Sequence, residues 1–311
     1  MSQPLWSSDE LDLLIDDFWT GVTQCLERIW DDPNAFSPEM IGSKEAATKR
    51  LEQQLEELQP GFYDDLAANC ESSPTIANLP ENHLNIIVDG LSLREMFRLR
   101  NALKEDYVVE TGHGFAVCPT RTRFACQRAF GASAPSSVNR DDFAYIGEDD
   151  ELPALPHQDT AYIWTRNPDA KIEKYAEGQF EVDSVERIVD EAIDLVKTIL
   201  DSAQQDSYFI TSDHGYLHWR GNNPFIDSIT DATKQKLKRQ FRGDVGTSRY
   251  IETRSEGWIF DLEDKDVIHK TGDYYVVKRP VRFNPHTQRR IVHGGLSMME
   301  CLIPQLTITP R

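Results

Sequence analysis

The stretch DSVERIVDEAIDLVKTILDSAQQDSYFITSDHG (183–215) does most to limit how this chain can fold. Its first part places Val185, Ile188, Val189, Ala192, Ile193, Val196 and Ile199 on one helical face, with Asp183 and Glu186 at N-cap and N3 spacing. Its second part is a short apolar run that ends in Asp213-His214-Gly215. An amphipathic helix followed at once by a strand too apolar to face water is half of an α/β crossover. The texture recurs. LNIIVDG (84–90) is a β-branched run ending in Asp-Gly, and SLREMFRLRNAL (92–103) after it reads as a helix. YVVETGHGFAVC (107–118) reads as one or two strands and AYIWT (161–165) as another. RYIETR (249–254), YYVVKRPVRF (274–283), RRIVHGG (289–295) and QLTITP (305–310) add further strands, whereas NRDDFAYIGEDDELPALP (139–156) reads as a loop. The expected class is α/β with a mostly parallel central sheet flanked by helices.

The first eighty residues differ in character. Ser7 and Glu10 have capping-box spacing, and Leu11, Leu14, Ile15, Phe18, Val22 and Ile29 follow at helical intervals. A second helix, about 43–58, ends at Pro60-Gly61. These features divide the chain into an N-terminal helical region, 1–80, suited to packing or to a protein partner, and a domain over 81–311. Acids exceed bases 52 to 33, and the net charge of −19 argues against duplex binding through a general basic field. The one strongly basic stretch is KQKLKRQFRGDVGTSR (234–249), either a solvated helix face or a rim for a nucleotide or oligonucleotide. Nearby Tyr216, Trp219, Tyr250 and Trp258 suit base stacking or, by default, the core. Five scattered cysteines, without a C-x-x-C pair, read as reduced thiols. With no membrane-length apolar run and no signal-like N-terminus, the expected location is the cytoplasm.

In a parallel sheet, ligands bind beyond the carboxyl ends of the strands. Asp89 and Asp213 fall at such ends, and His214 adds an imidazole beside the second acid. His293 stands between a strand and a helix, before two glycines. An Asp after a strand is an ordinary turn residue. Three strand-end positions bearing metal-ligand types favour a metal site. No partner is evident for His113, His218 or His269.

IIVDGLS, FITSDHGYL and RFNPHTQRRIVHGGLSMMECLIP together resemble the PglZ domain, a branch of the alkaline phosphatase superfamily, over roughly residues 80–311. The resemblance implies an alkaline phosphatase-like fold and a metal-dependent phosphoric ester hydrolase, a phosphodiesterase or phosphatase with two divalent metal ions. Zn²⁺ is favoured and Mn²⁺ is the alternative. It implies Thr122, in CPTRTRF, as nucleophile and metal ligand, with Thr120 and Ser92 as rivals. One metal would take Asp89, Asp213 and His214. The other would take His293 with Asp169 and Glu173, four apart on a helix, or with His157 and Asp159 in their place. Arg121 and Arg123 flank Thr122 and suit phosphate oxygens. A phosphate ester, nucleotide or nucleic acid is the implied substrate, and phage defence or signalling the implied setting. A phosphotransferase or mutase on the same site, and a non-catalytic scaffold, are the other readings. The first would need a lid domain between Thr122 and Asp169.

Overall fold

Three helices open the described chain: α1 (Phe18–Trp30), α2 (Ile41–Leu58) and α3 (Phe62–Ser72). The computed structural model describes residues 17–148, 150–176, 184–203, 205–218, 249–252, 262, 266–281 and 291–311. The expected helix start at Ser7–Ile15, the cap at Asp183, Trp219, Trp258, residues 234–248 and residues 282–290 lie outside them. Trp19, Val22, Leu26, Trp30, Leu51, Leu55, Phe62 and Leu66 of the three helices share one continuous core with Leu84, Ile86, Phe97, Ile210 and Leu306.

Strand β1 (Leu84–Val88) is buried along its whole length, as a strand covered on both faces must be. Helix α4 (Leu93–Leu103) follows, capped by Ser92 and Glu95 in a complete capping box. Then come β2 (Tyr107–Phe115), α5 (Thr122–Phe130), β3 (Phe143–Ile146), β4 (Ala161–Thr165), α6 (Asp169–Ala176), α7 (Ser184–Ser202) and β5 (Tyr208–Thr211). β6 (Leu217–His218) pairs with β10 (Ile291–Val292), and β7 (Tyr250–Glu252), β9 (Tyr274–Val277) and β8 (Ile268–Thr271) make a small sheet of their own. Helix α8 (Met298–Cys301) leads into β11 (Leu302–Pro310).

The main sheet has six strands in the order β2-β11-β5-β1-β4-β3. The β5-β1-β4-β3 run is parallel throughout, and β11 is antiparallel to both its neighbours. The α/β class with a mostly parallel sheet therefore holds. One reading does not: FAYI, inside the supposed loop 139–156, is β3, an edge strand in register with β4. Among the described residues no helix is long and apolar enough to cross a membrane.

The N-terminal helices are tied to the sheet by polar bonds as well. Glu52 of α2, 1% exposed, accepts hydrogen bonds from the Tyr63 hydroxyl (3.0 Å) and from the Met298 N–H (2.8 Å). Burial pushes its carboxyl up to about 7 from 4.5, against the pull of those two donors. The folded chain therefore keeps a proton that the unfolded chain has lost between those two values. Stability falls as pH rises through that window, and the full cost is present above pH 7. Glu52→Gln keeps an acceptor oxygen without the charge. The variant is expected to gain roughly 2–3 kcal/mol at pH 8 and little at pH 5. Thermal unfolding at both pH values checks this, and an equal gain at both would refute it.

Candidate metal centre

The carboxyl edge of β5-β1-β4 gathers the candidate residues. After Val88 the Asp89 N–H continues the ladder to Thr165 O (3.0 Å), which fixes where Asp89 stands. Gly90 then turns away with φ +73°, and its N–H donates to Asp213 Oδ1 (3.1 Å). A Cβ there would lie 3.0 Å from Asp169 Cβ, so only glycine gives α6 this close approach. Asp169 in turn donates its N–H to Asp89 O (3.1 Å). Gly215 serves a related purpose. A Cβ on it would meet Met299 O at 2.2 Å, and its N–H donates to Glu300 O (3.0 Å). The glycine of Asp-His-Gly is thus required by the backbone of α8 rather than by a turn.

Two groups of ligand-type atoms converge within 4.8 Å among the described residues: Asp89, Asp213 and His214, and Asp169, His214 and His293. The His214 Nδ1–H faces Gly215 O (3.1 Å), which leaves the Nε2 lone pair aimed at Asp213 Oδ2 (3.5 Å) and Asp89 Oδ1 (3.6 Å). His293 is oriented in the same manner, with Nδ1 on Thr120 O (3.1 Å) and Nε2 4.0 Å from Asp169 Oδ1. The two imidazoles stack, with centroids 4.1 Å apart and planes at 10°. Thr122 Oγ1, at the first residue of α5, donates to Asp89 Oδ1 (3.2 Å) and lies 3.3 Å from His214 Nε2.

This arrangement fits divalent cations. Asp213 Oδ2 is fully buried and accepts no hydrogen bond among the described residues. Acceptor atoms turned toward one another at 3.5 Å repel unless positive charge lies between them. Burial pushes the Asp89 carboxyl well above the usual range, and the Asp213 and Asp169 charges push it further. Burial likewise raises Asp169 to about 7, with Glu173 and Asp213 adding to the rise. Imidazole nitrogens mixed with carboxylate oxygens are ligand types that divalent cations accept. In such centres the far ring nitrogen of each histidine is held by a second group, as both are here.

The rival residues stand in other surroundings. Thr120 is fully buried, donates to Gly295 O (3.1 Å) and accepts from the Gly294 N–H (2.9 Å), so it clamps the loop that carries His293. Ser92 is a helix cap. His157 and Asp159 are exposed before β4, at the opposite end of the strand from Asp169. Glu173 lines the cleft but stands outside both converging groups. Arg121 and Arg123 also line it, and Arg123 lies over the rings of Phe124 (4.5 Å), Tyr250 (5.4 Å) and Tyr274 (5.8 Å). Tyr216 is buried, with its hydroxyl on Glu95 (2.6 Å), so it stacks no base. Arg249, from the basic stretch, is 3% exposed and paired with Glu300 (2.8 Å), so it forms no electropositive rim. The cleft, about 300 Å³, also has a wall that sequence reasoning did not single out: Ser133, Ser136, Tyr145 and Arg166.

Residues 131–308 match the family model described as the BREX system PglZ alkaline phosphatase-like domain. Asp169, Glu173, Asp213, His214 and His293 lie inside the match, and Asp89 and Thr122 precede it. No curated protein matches. Among solved structures, murine ectonucleotide pyrophosphatase/phosphodiesterase 5 aligns at 12% identity and TM-score 0.39, covering 73% of this chain and 88% of that one. An inactive form of the same protein in complex with AMP aligns at 11% identity and TM-score 0.35, with the same coverage.

Proposed function

The chain belongs to the PglZ family of alkaline phosphatase-like domains, and from that premise we propose that it is a metal-dependent phosphoric ester hydrolase with Thr122 as nucleophile. The observation that carries this reading is the placement of Thr122 Oγ1 between Asp89 and His214, on the rim of a cleft that both ligand groups face. Asp89, Thr122, Asp213 and His214 would hold one divalent cation. Asp169 and His293 would hold a second, with Glu173 approaching from the next turn of α6. When bound, the cations stabilise the negative charge that develops on the phosphoryl and leaving oxygens.

The chain's own groups account for the rest. Asp89 Oδ1 is positioned to accept the hydroxyl proton as Thr122 Oγ1 bonds to phosphorus and the ester P–O bond breaks. Water then cleaves the phosphate from Thr122. Arg121, at the N-terminal edge of α5, offers a guanidinium to the phosphoryl oxygens, assisted by the positive end of the helix.

Among the described residues between Thr122 and Asp169 the regular elements are one helix, α5, a short 3-10 turn and the strands β3 and β4, which supports hydrolysis over a phosphotransferase with an inserted lid. The five cysteines are buried and none is in a disulfide, which suits a reducing cytoplasm. Within a BREX-type setting the ester would be a nucleotide or nucleic acid met during phage defence, with the N-terminal helices open to a protein partner. The test is hydrolysis of p-nitrophenyl mono- and diesters with added Zn²⁺ or Mn²⁺. Thr122→Ala is expected to lose on the order of a thousandfold or more in kcat. Full metal-dependent activity in that variant would remove Thr122 from the mechanism, and no activity in wild type would favour a scaffold.

A further inference from the structure

The metal-capable groups occupy only half of the sheet's carboxyl edge. Outward from β5 the edge carries Asp213, then Asp89 beyond β1, then Arg166 beyond β4, with Tyr145 in β3 beside it. The backbone at Arg166 is pinned. Its N–H donates to Ile146 O (2.9 Å), the Thr165 hydroxyl to Asn167 O (2.7 Å), and the Asn167 amide to Glu148 O (2.9 Å). The Arg166 and Tyr145 side chains both line the cleft with Thr122 and Asp89.

Several buried or half-buried arginines of this acidic protein are matched with carboxylates, among them Arg94 with Glu45, Arg98 with Asp190, Arg100 with Asp31 and Arg279 with Glu56. Among the described residues Arg166 forms no ion pair, although it projects into a cleft lined by Asp89, Asp169 and Glu173. Of these, Asp89 and Asp169 are the ones that the cations of the proposed centre would engage, with Glu173 beside them. What remains on the β4-β3 side is a cation, a phenol and the segment Ser133-Ala134-Pro135-Ser136, which brings two serines to the cleft. A guanidinium with no carboxylate within ion-pair distance among the described residues, though Glu173, Asp89 and Asp169 attract it from across the cleft, matches the oxygens of a phosphate.

We infer that Arg166 and Tyr145 form a second phosphate subsite, so that the substrate carries a second phosphate group adjoining the one attacked at Thr122. The inference rests on the hydrolase reading above. The second phosphate can belong to a diphosphate or to the next link of a nucleic acid strand, and the substrates distinguish these sources.

The experiment compares wild type, Arg166→Ala and Arg166→Lys, with Zn²⁺ or Mn²⁺ present, on p-nitrophenyl phosphate, ADP and a 5′-phosphorylated dinucleotide. Arg166→Ala is expected to lose about tenfold to a hundredfold more in kcat/KM on at least one two-phosphate substrate than on p-nitrophenyl phosphate. Arg166→Lys should recover part of that loss. Loss on ADP alone identifies a diphosphate, and loss on the dinucleotide alone identifies a strand. Equal losses on all three, or no loss on any, would overturn the subsite. If wild type hydrolyses none of them, the hydrolase reading fails by itself. Calorimetric binding of a methylene-bridged ADP analogue and of the dinucleotide then decides. At least about tenfold weaker binding of either by Arg166→Ala keeps the subsite, and equal affinity for both dismisses it.

Discussion

Replacing Asp213 by Asn is expected to strengthen the metal-free fold while disabling the metal-loaded one. Asp213 is fully buried, with Oδ1 on the Gly90 N–H and Oδ2 facing His214 Nε2 at 3.5 Å. Without a cation its charge repels Asp89 and Asp169, both of which are pushed upward by it. Asn keeps the Oδ1 acceptor and places an N–H where the orphaned oxygen was, beside a nitrogen lone pair. The metal-free variant should therefore be more stable by about 1–3 kcal/mol. A cation reverses the sign, because wild type gains roughly 4 kcal/mol at a thousandfold excess over Kd and the variant loses a ligand. Differential scanning with and without Zn²⁺ reads both effects. A metal-free variant less stable than wild type, with the Zn²⁺-induced rise in Tm retained, would mean that Asp213 is an ordinary buried acid.

The parts of this centre that sequence could reveal are those set by strand ends. Asp89 and Asp213-His214 each follow an apolar run directly, and period and chemistry agree about where they stand. Asp169 and Glu173 were legible as a helical i, i+4 pair, yet which of them reaches the histidines depends on how α6 leaves the sheet, and no local pattern states that. Choosing Thr122 over Thr120 requires the contacts of Gly294 and Gly295, about 175 residues away in the chain. β3 was missed because four residues among acids carry little strand signal, and its ladder comes from β4. Arg166 was missed although it obeys the rule that found Asp89. It directly follows the AYIWT strand, but an arginine at a strand end carries no metal-ligand signal. The N-terminal helices differ from the rest in composition, yet composition does not report that Trp19 and Leu55 complete the same core as Ile86.

Arg94 shows how closely those helices bear on the site, and Arg94→Met is expected to be among the most damaging substitutions away from the ligands. The guanidinium is 1% exposed and packs between the rings of Trp30 (5.6 Å) and Tyr216 (4.8 Å). Its Nη2 donates to Glu45 Oε2 of α2 (3.1 Å) while Nε lies 2.9 Å from Oε1 as an ion pair, and Nη1 donates to Tyr216 O (2.8 Å). Burial alone would raise the Glu45 carboxyl, but the attraction of Arg94, helped by His218, more than offsets it and holds the group below its ordinary range. Methionine fills similar volume and leaves Glu45 without its main counter-charge, which costs about 3–5 kcal/mol. It also frees Tyr216, two residues from His214, so Zn²⁺ affinity should fall beyond the loss of stability. Arg94→Lys keeps a charge without the fork and should fall between. Pairing Arg94→Met with Glu45→Gln removes the stranded charge and should restore a large part of the stability, but not the hold on Tyr216. If the double variant regained both stability and metal affinity, the network would be a packing element. Recovered stability with metal affinity still reduced would show that α2, through one buried arginine, helps to hold the Asp213-His214 loop where a metal needs it.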